Sequence, residues 1–480
     1  MRKRVELSID CDVIVLGMGT CGEDAGLRLA TAGLDVVGVE PNLIGGECPY
    51  WACLPTKSLV RSANLVIEAR RADGLVGAVS VETEWATIAS RIRTEITGGW
   101  DDTGGVRRFE VRGGRFVRGW GKVVGPRTVQ VGSDTVAARL GVLVATGSTP
   151  LIPPIDGLED TPFWTNREAV ATETLPGSLV IVGGGPVGCE LGQVFARFGT
   201  KVTIVEGSDR LLAHGEPEAS AQIGEVFTDE GMDVITGVHV TSVKGDEDEV
   251  GLNLDDGSFL TAERLLLAVG RRGTADQLGL DRVGATVSHG FVDVDDKMRA
   301  ADGLWAIGDV TGPPLLTQVA QYQGRIAVED ILGGSPRPAD YSAMPAVTFT
   351  DPEVGSVGLT EEQARSQGRN VIVSTKRLEA TFRGWLHRTG NAGFIKMVAD
   401  IDEGCLVGAT VVGPNAGEVL GFLHLAVAKQ APLEELVDLI YPFPTMYGGI
   451  GEALGAYGRG VVRVLDPDTA PMFDDPPITI

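Results

Sequence analysis

The sequence holds no apolar run approaching the roughly 18 residues of a membrane span. Its longest, such as Val13–Leu16 and Leu265–Val269, are strand length, so no membrane partner is expected. Positive charge is scarce: 41 basic against 65 acidic residues leave a net charge of −24. Such a surface repels phosphate backbones, which argues against a nucleic-acid partner. Cysteine is scarce and scattered, at Cys11, Cys21, Cys48, Cys53, Cys189 and Cys405, unlike a secreted disulfide framework. The basic start, Arg2 to Arg4, meets no apolar stretch before Val13, so no signal peptide is expected. These absences point to a reducing cytoplasm, where any close cysteine pair is a catalytic suspect.

Apolar residues, at 43% of 480, suffice for several cores and exclude wholesale disorder. About 150 residues per domain gives an expectation of about three domains. Glycine is abundant, with 66 residues, and much of its meaning lies in a repeated phrase. Asp12–Leu16 reads as a buried parallel strand, followed by Gly17, Gly19 and Gly22, a helix, and a second strand ending at Glu40. Ser178–Val182 opens the second copy, with Gly183, Gly185 and Gly188, a helix to about Phe198, and a strand ending at Glu206. In both copies the glutamate follows the first glycine by 23 positions. This is the βαβ dinucleotide fingerprint. Its glycines serve the tight turn, the approach to the pyrophosphate and close helix packing, and its carboxylate binds ribose hydroxyls. The pyrophosphate rests on the helix N-terminus, where free N–H groups favour negative charge.

Two fingerprints imply two nucleotides, hence electron transfer between a nicotinamide and a second dinucleotide, expected to be FAD. Val144–Ser148 carries Thr146 and Gly147, and it precedes Pro150–Pro154. Ala268–Arg271 carries Gly270, and Leu304–Asp309 ends on Asp309. Each reads as a short strand ending in glycine where the chain crosses between domains. Asp309 suits a sugar or ribitol hydroxyl, and equally a helix N-cap. From about Met344 the texture changes. Val347–Thr350, Asn370–Ser374, Gly393–Val398 and Leu406–Val412 read as a mostly antiparallel sheet, with an amphipathic helix over Ala416–Gln430. The expected architecture is α/β: two Rossmann-like dinucleotide-binding domains and a C-terminal α+β dimerisation domain. The expected limits are 1–150 and 276–340 for FAD, 151–275 for NAD(P), 341–465 for the interface and 466–480 for an extended tail.

Cys48 and Cys53 stand just after the first fingerprint, in Gly45 to Lys57. On a regular α-helix five positions rise about 7.5 Å, too far for a disulfide, whose Cα atoms lie roughly 4.4–6.8 Å apart. The pair closes only if the helix is interrupted, and Pro49 and Pro55 are the expected interruption. Two buried core cysteines or half a zinc site are the competing readings. A zinc site needs a second pair, which is absent, and the flavin-type surroundings favour a redox disulfide.

From Cys11 to about Leu465 the chain resembles the class I pyridine nucleotide–disulfide oxidoreductases, the group of dihydrolipoamide dehydrogenase, glutathione reductase and mercuric reductase. The resemblance is carried by GMGTCG with Glu40, GGECPYWACLPTK, ATGS, GGGPVGCE, AVGRR, AIGD and FTDPEVGSVGLT, in that order. It implies FAD, NAD(P)H, a homodimer and a small-molecule electron acceptor. It also implies roles for residues. Cys53 faces the flavin and Cys48 exchanges with substrate. Lys57 lies near flavin N5 with Glu190 as its carboxylate partner, and Asp309 binds the FAD ribitol. Gly46 belongs to the FAD-binding turn before the cysteines.

The chain departs from the family's closing HxHPTxxE segment, whose histidine is the general base supplied across the dimer. Phe443 stands in place of that histidine and Gly448 in place of the glutamate. None of His214, His239, His289, His387 and His424 lies in this segment. Phenylalanine cannot move a proton. Tyr441 and Tyr447 are the local alternatives, but an ordinary tyrosine is a poor base near pH 7, and interface packing is the plainer reading. Mercuric reductases use a nearby tyrosine but carry a terminal cysteine pair, absent here. Soluble transhydrogenase-like members lack the second redox cysteine, which is present here. Tyr50 and Trp51 replace smaller residues between the cysteines and are expected to crowd the substrate side. The leading expectation is an FAD- and NAD(P)H-dependent oxidoreductase acting through a Cys48–Cys53 disulfide on a small disulfide or other acceptor. Glu206 makes NADH the favoured nucleotide, with Arg210 able to blur that preference. The alternatives are a flavin-linked quinone, dye or metal-ion reductase or oxidase without dithiol exchange, and a non-catalytic flavoprotein subunit. No metal site is expected.

Overall fold

The computed structural model describes residues 8–73 and 75–455. The extended tail expected over 466–480 lies outside the described residues.

The first fingerprint builds the middle of the largest sheet. Ser8–Leu16 pairs in parallel with Val36–Glu40 on one side and with Asp134–Val144 on the other. Gly114–Arg118 adds beyond Val36–Glu40, and Leu304–Ala306 beyond Asp134–Val144. The central strands are apolar where both faces are covered, over Val13–Leu16 and Val142–Val144, and Val36–Glu40 is buried at every position. Thr20–Thr31 covers one face, burying Gly22, Ala25, Gly26 and Leu29.

The second fingerprint repeats the plan. Asp233–Thr236, Lys201–Glu206, Ser178–Val182 and Arg264–Leu267 form a four-stranded parallel sheet in that order. A three-stranded antiparallel sheet, Val240–Gly245, Val250–Leu254 and Phe259–Ala262, packs beside it. The two units are joined where Ser148–Pro150 pairs antiparallel with Arg271–Gly273.

The C-terminal sheet is antiparallel throughout, in the order Pro345–Thr348, Glu353–Gly358, Cys405–Gly413, Phe394–Asp400, Val371–Arg377. Helix Ala416–Lys429 packs on it through Val419, Leu420, Leu423, Ala426 and Val427. Glu353–Gly358 was not foreseen, because its two glycines and a glutamate dilute the strand pattern. The strand expected over Val347–Thr350 ends at Thr348. Beyond it, Phe349 and Asp351 direct their N–H groups to the side chains of Glu190 and Gln193 instead of a neighbouring strand.

Those bonds belong to a joint holding all three units. Glu190, Gln193 and Arg197 lie along one face of helix Pro186–Arg197. The Arg197 guanidinium binds Glu230 at 2.6 Å and Asp351 at 2.8 Å, and its side chain is only 2% exposed. It also donates to Asn64, while Arg71 reaches Asp351 at 2.7 Å. Among the described residues no helix is long and apolar enough to cross a membrane.

Candidate active site

Both fingerprint turns open onto one cavity of about 2490 Å³, well above the roughly 300–1,000 Å³ of a pocket for one small ligand. Gly17, Gly19, Glu40, Gly46, Cys48, Cys53, Lys57, Thr146, Gly147, Gly183, Gly185, Glu190, Glu206, Gly270 and Asp309 border it. Gly22 and Gly188 stand behind the wall. A Cβ on either would run into the carbonyl oxygen of Gly17 or Gly183, the close helix–strand contact that only glycine permits. Nothing lies within 4 Å of the space a Cβ would fill on Gly19 or Gly185. Each bare backbone, at the start of a helix, thus leaves room for a pyrophosphate.

The two glutamates are held alike. Glu40 accepts from the amides of Met18 and Asn42 at 2.9 Å each. Glu206 accepts from Gly184 at 2.5 Å and Ser208 at 2.7 Å. Their acidities differ. Burial dominates at Glu40 and raises its pKa above the ordinary carboxylate value. Burial also pushes Glu206 up, but the Ser208 and Gly184 amides, with His239 nearby, outweigh it and hold the pKa below that value. Gly207 lies against the His239 ring, so no larger residue fits there without moving it. Arg210 donates to the Ala213 carbonyl at 2.9 Å and pairs with Asp209.

The crossing strands place the remaining polar groups. Thr146 and Thr274 share a hydroxyl bond of 2.9 Å beside Gly147, which has φ +72°. Asp309 accepts the Ser148 hydroxyl at 2.5 Å, and Arg271 donates to the same hydroxyl. Asp309 sits inside the short turn Gly308–Thr311 and makes no cap. Gly270 accepts the Leu151 N–H where the chain crosses over.

Cys48 and Cys53 form a disulfide with a Cα separation of 4.6 Å. The helix is interrupted, as closure requires, but not by the prolines. Cys48 lies in the one-turn helix Glu47–Tyr50, and Cys53 opens the helix Cys53–Arg71. The break falls at Trp51 and Ala52, where φ is −133° and −134°. Pro55 is the third residue of its helix, where a missing N–H forfeits no intrahelical bond. Trp51 is braced instead: its ring stacks on Trp100 at 5.3 Å, and its carbonyl accepts from Asn166 at 2.6 Å. The Thr317 hydroxyl lies 3.4 Å from the Cys53 sulfur. Nothing in the sequence marked Thr317, since it begins a helix far down the chain.

Lys57, one turn along from Cys53, binds Glu190 at 2.6 Å. The other Glu190 oxygen takes the Phe349 N–H at 2.9 Å, and the Phe349 ring lies 4.8 Å from the Lys57 ammonium. Glu190 is 3% exposed and has spent both oxygens. Among the described residues no group of three or more His, Cys, Asp or Glu side chains is placed to hold a metal ion.

Two glycine cradles, a carboxylate at the end of each fingerprint's second strand and a disulfide on the same wall fit FAD and a nicotinamide dinucleotide. Comparison with known proteins agrees. Residues 11–324 match the pyridine nucleotide-disulphide oxidoreductase model, and residues 344–454 match that family's dimerisation domain. The chain belongs to the pyridine nucleotide–disulfide oxidoreductases. It is 35% identical to the dihydrolipoyl dehydrogenase of Thermus scotoductus over 95% of this chain and 99% of that protein. The Bacillus subtilis dihydrolipoyl dehydrogenase is 31% identical, over 95% of this chain and all of that protein. LpdA of Mycobacterium tuberculosis superposes with a TM-score of 0.83 at 26% identity, covering 93% of this chain and 99% of that one. A Cu(II) complex of the HOCl-induced flavoprotein disulfide reductase RclA of Escherichia coli gives 0.82 at 26%, covering 92% and 99%. As a family member the chain is an FAD-dependent NAD(P)H disulfide oxidoreductase of class I architecture.

The family's closing segment is where this member differs. Phe443 is 70% exposed and packs edge-on against Phe382. Tyr441 donates its hydroxyl to the Leu436 carbonyl at 2.8 Å, and burial, with Tyr447 beside it, pushes its pKa up to about 12. Tyr447 packs against both Tyr441 and Phe422. The arrangement at Tyr441 is that of a packed aromatic cluster and not of a base.

Proposed function

We propose that this chain passes electrons from NADH at the second fingerprint to the Cys48–Cys53 disulfide, and on to a small acceptor that needs no histidine base. The observation carrying the proposal is that the disulfide and both glycine cradles border one cavity, while Phe443 replaces the proton carrier. FAD, when bound, supplies two-electron transfer between the nicotinamide and the disulfide. Gly17, Gly19 and Gly22 shape the turn that receives FAD, and Glu40 holds its ribose. Gly46, Thr146, Gly147 and Asp309 complete that wall. Gly183, Gly185 and Gly188 with Glu206 and Gly270 receive NADH. Cys53 is the flavin-side thiol and Cys48 the exchanging one. Lys57, fixed by Glu190, holds a positive charge at the flavin.

The same reading divides the chain into FAD-binding parts at 1–150 and 276–340, an NAD-binding part at 151–275 and an interface part at 341–465. It acts as a homodimer. Supporting this, Ile440, Leu425, Leu439, Leu386, Phe382 and Phe443 are exposed in the dimerisation domain, an apolar surface suited to a large interface. Sedimentation that finds an active single chain refutes the dimer. Four free cysteines, Cys11, Cys21, Cys189 and Cys405, support the cytoplasm as its compartment.

Anaerobic titration with NADH tests the route. A long-wavelength band from a thiolate beside the flavin is the expected result. Bleaching of the flavin without that band favours a second reading, in which a quinone, dye or metal ion takes electrons without dithiol exchange. The Trp51–Trp100 stack is the observation that favours this reading, since it offers a planar acceptor an aromatic surface near Cys48.

A further inference from the structure

Lys57 is held on two sides, by Glu190 from the helix of the second fingerprint and by Phe349 from a short segment of the dimerisation domain. Glu190 binds its ammonium at 2.6 Å, and the main-chain N–H of Phe349 fixes the other oxygen of that carboxylate at 2.9 Å. The Phe349 ring stands 4.8 Å from the same ammonium. Two residues further on, Asp351 is locked by Gln193, Arg71 and Arg197. The ring is therefore placed by a buried ion-pair joint, independently of any ligand. The Lys57 side chain is 37% exposed and borders the cavity.

We infer that Phe349 is a positioning residue: its ring keeps the Lys57 ammonium at the cavity wall and thereby sets how readily NADH reduces the bound flavin. The inference rests on the reading of Lys57 as the cation beside the flavin. The negative face of the ring attracts the ammonium. A charge held in place stabilises developing negative charge better than one that must first be arranged. Without the ring, a flexible four-carbon stem is tethered by the carboxylate alone, and the field it projects into the cavity weakens. The plainer role of Phe349, packing beside the large core cluster that its ring adjoins, leaves flavin reduction unchanged.

The test uses FAD-loaded protein in which Cys48 and Cys53 are both replaced by serine, so that electrons stop on the flavin, equilibrated anaerobically with mixtures of NADH and NAD. In that background the ratio giving half-bleached flavin is read with the wild-type residues at 57 and 349, and with Phe349→Leu, Phe349→Tyr, Lys57→Met and the Lys57→Met/Phe349→Leu double variant. Leucine keeps the apolar bulk and the main-chain N–H but removes the ring. Phe349→Leu is expected to need a higher ratio, by up to about 30-fold, the ceiling reached if the whole of a desolvated cation–π contact favours the reduced flavin. Phe349→Tyr keeps the wild-type ratio. Lys57→Met shifts it at least as far, and adding Phe349→Leu shifts it no further. A Phe349→Leu ratio equal to wild type, beside a shifted Lys57→Met, overturns the role of Phe349 alone. So does a shift that persists undiminished in the double variant. An unshifted Lys57→Met overturns the reading of Lys57 beneath it. If Phe349→Leu does not fold, Phe349→Met removes the ring with a side chain that fills irregular space, and the same outcomes apply.

Discussion

Glu40 and Glu206 end matching strands and each accepts two backbone amides. Even so, burial raises the pKa of Glu40, while hydrogen bonding outweighs burial and lowers that of Glu206. A carboxylate with a raised pKa takes up its proton at higher pH, and the charged form is the stronger acceptor of ribose hydroxyls. As pH falls, the FAD site is expected to lose its charged acceptor before the NADH site does. FAD retention, followed by fluorescence of released flavin, should therefore decline at a higher pH than NADH affinity. Glu40→Gln should weaken retention and flatten its pH dependence. A wild-type profile unaltered in that variant removes Glu40 from the account.

NADH is expected to exceed NADPH in kcat/KM. The Glu206 carboxylate repels a 2′-phosphate, and Arg210 is committed to Ala213 and Asp209. Glu206→Ala should narrow the ratio by lowering activity with NADH. A higher kcat/KM with NADPH in the wild type contradicts the assignment.

Lipoamide and oxidised glutathione should be poor substrates, by about the 10²–10⁴-fold that general-base catalysis contributes. Phe443→His alone is the clean gain-of-function test, with a rise for lipoamide and none for a quinone. Restoring the glutamate as well carries a structural cost, because a Cβ on Gly448 would stand 2.6 Å from the Pro442 carbonyl oxygen. Overpacking of this kind costs about 1–3 kcal/mol, so Gly448→Glu should lower the thermal midpoint. Family-typical lipoamide turnover by the wild type would show that the base comes from elsewhere.

Asp351→Asn should destabilise the protein by about 1.5–3 kcal/mol, the range for hydrogen bonds to charged groups, because it leaves the buried Arg197 with Glu230 as its one carboxylate and removes the carboxylate that Arg71 reaches. Denaturant midpoints of the FAD-loaded protein measure the loss. Equal midpoints would mean that solvent already screens the pair.

Much of this was legible in the residue order. The two glycine fingerprints, their terminal glutamates and the cysteine pair each combine strand, turn and helix signals at short range, and short-range signals survive in a sequence. The break between the cysteines was also foreseeable, but not its cause. Pro55 is harmless in the first helical turn, whereas Trp51 is braced by Trp100 and Asn166, both remote in sequence. The roles of Phe349, Thr317 and the Arg197 joint are illegible for the same reason: each acts on residues more than 100 positions away. Glu353–Gly358 is illegible because register with Cys405–Gly413, and not its own composition, makes it a strand.

Ile440 is 97% exposed and Phe443 70%, so under the proposed homodimer a lone chain fresh from the ribosome would display an adhesive face until a second copy hid it. Recovery from the unfolded state then includes a bimolecular step, and its yield falls when chains are so dilute that they meet strangers first. Replacing the missing histidine with phenylalanine thus makes solitude costly for the chain as well as altering its chemistry.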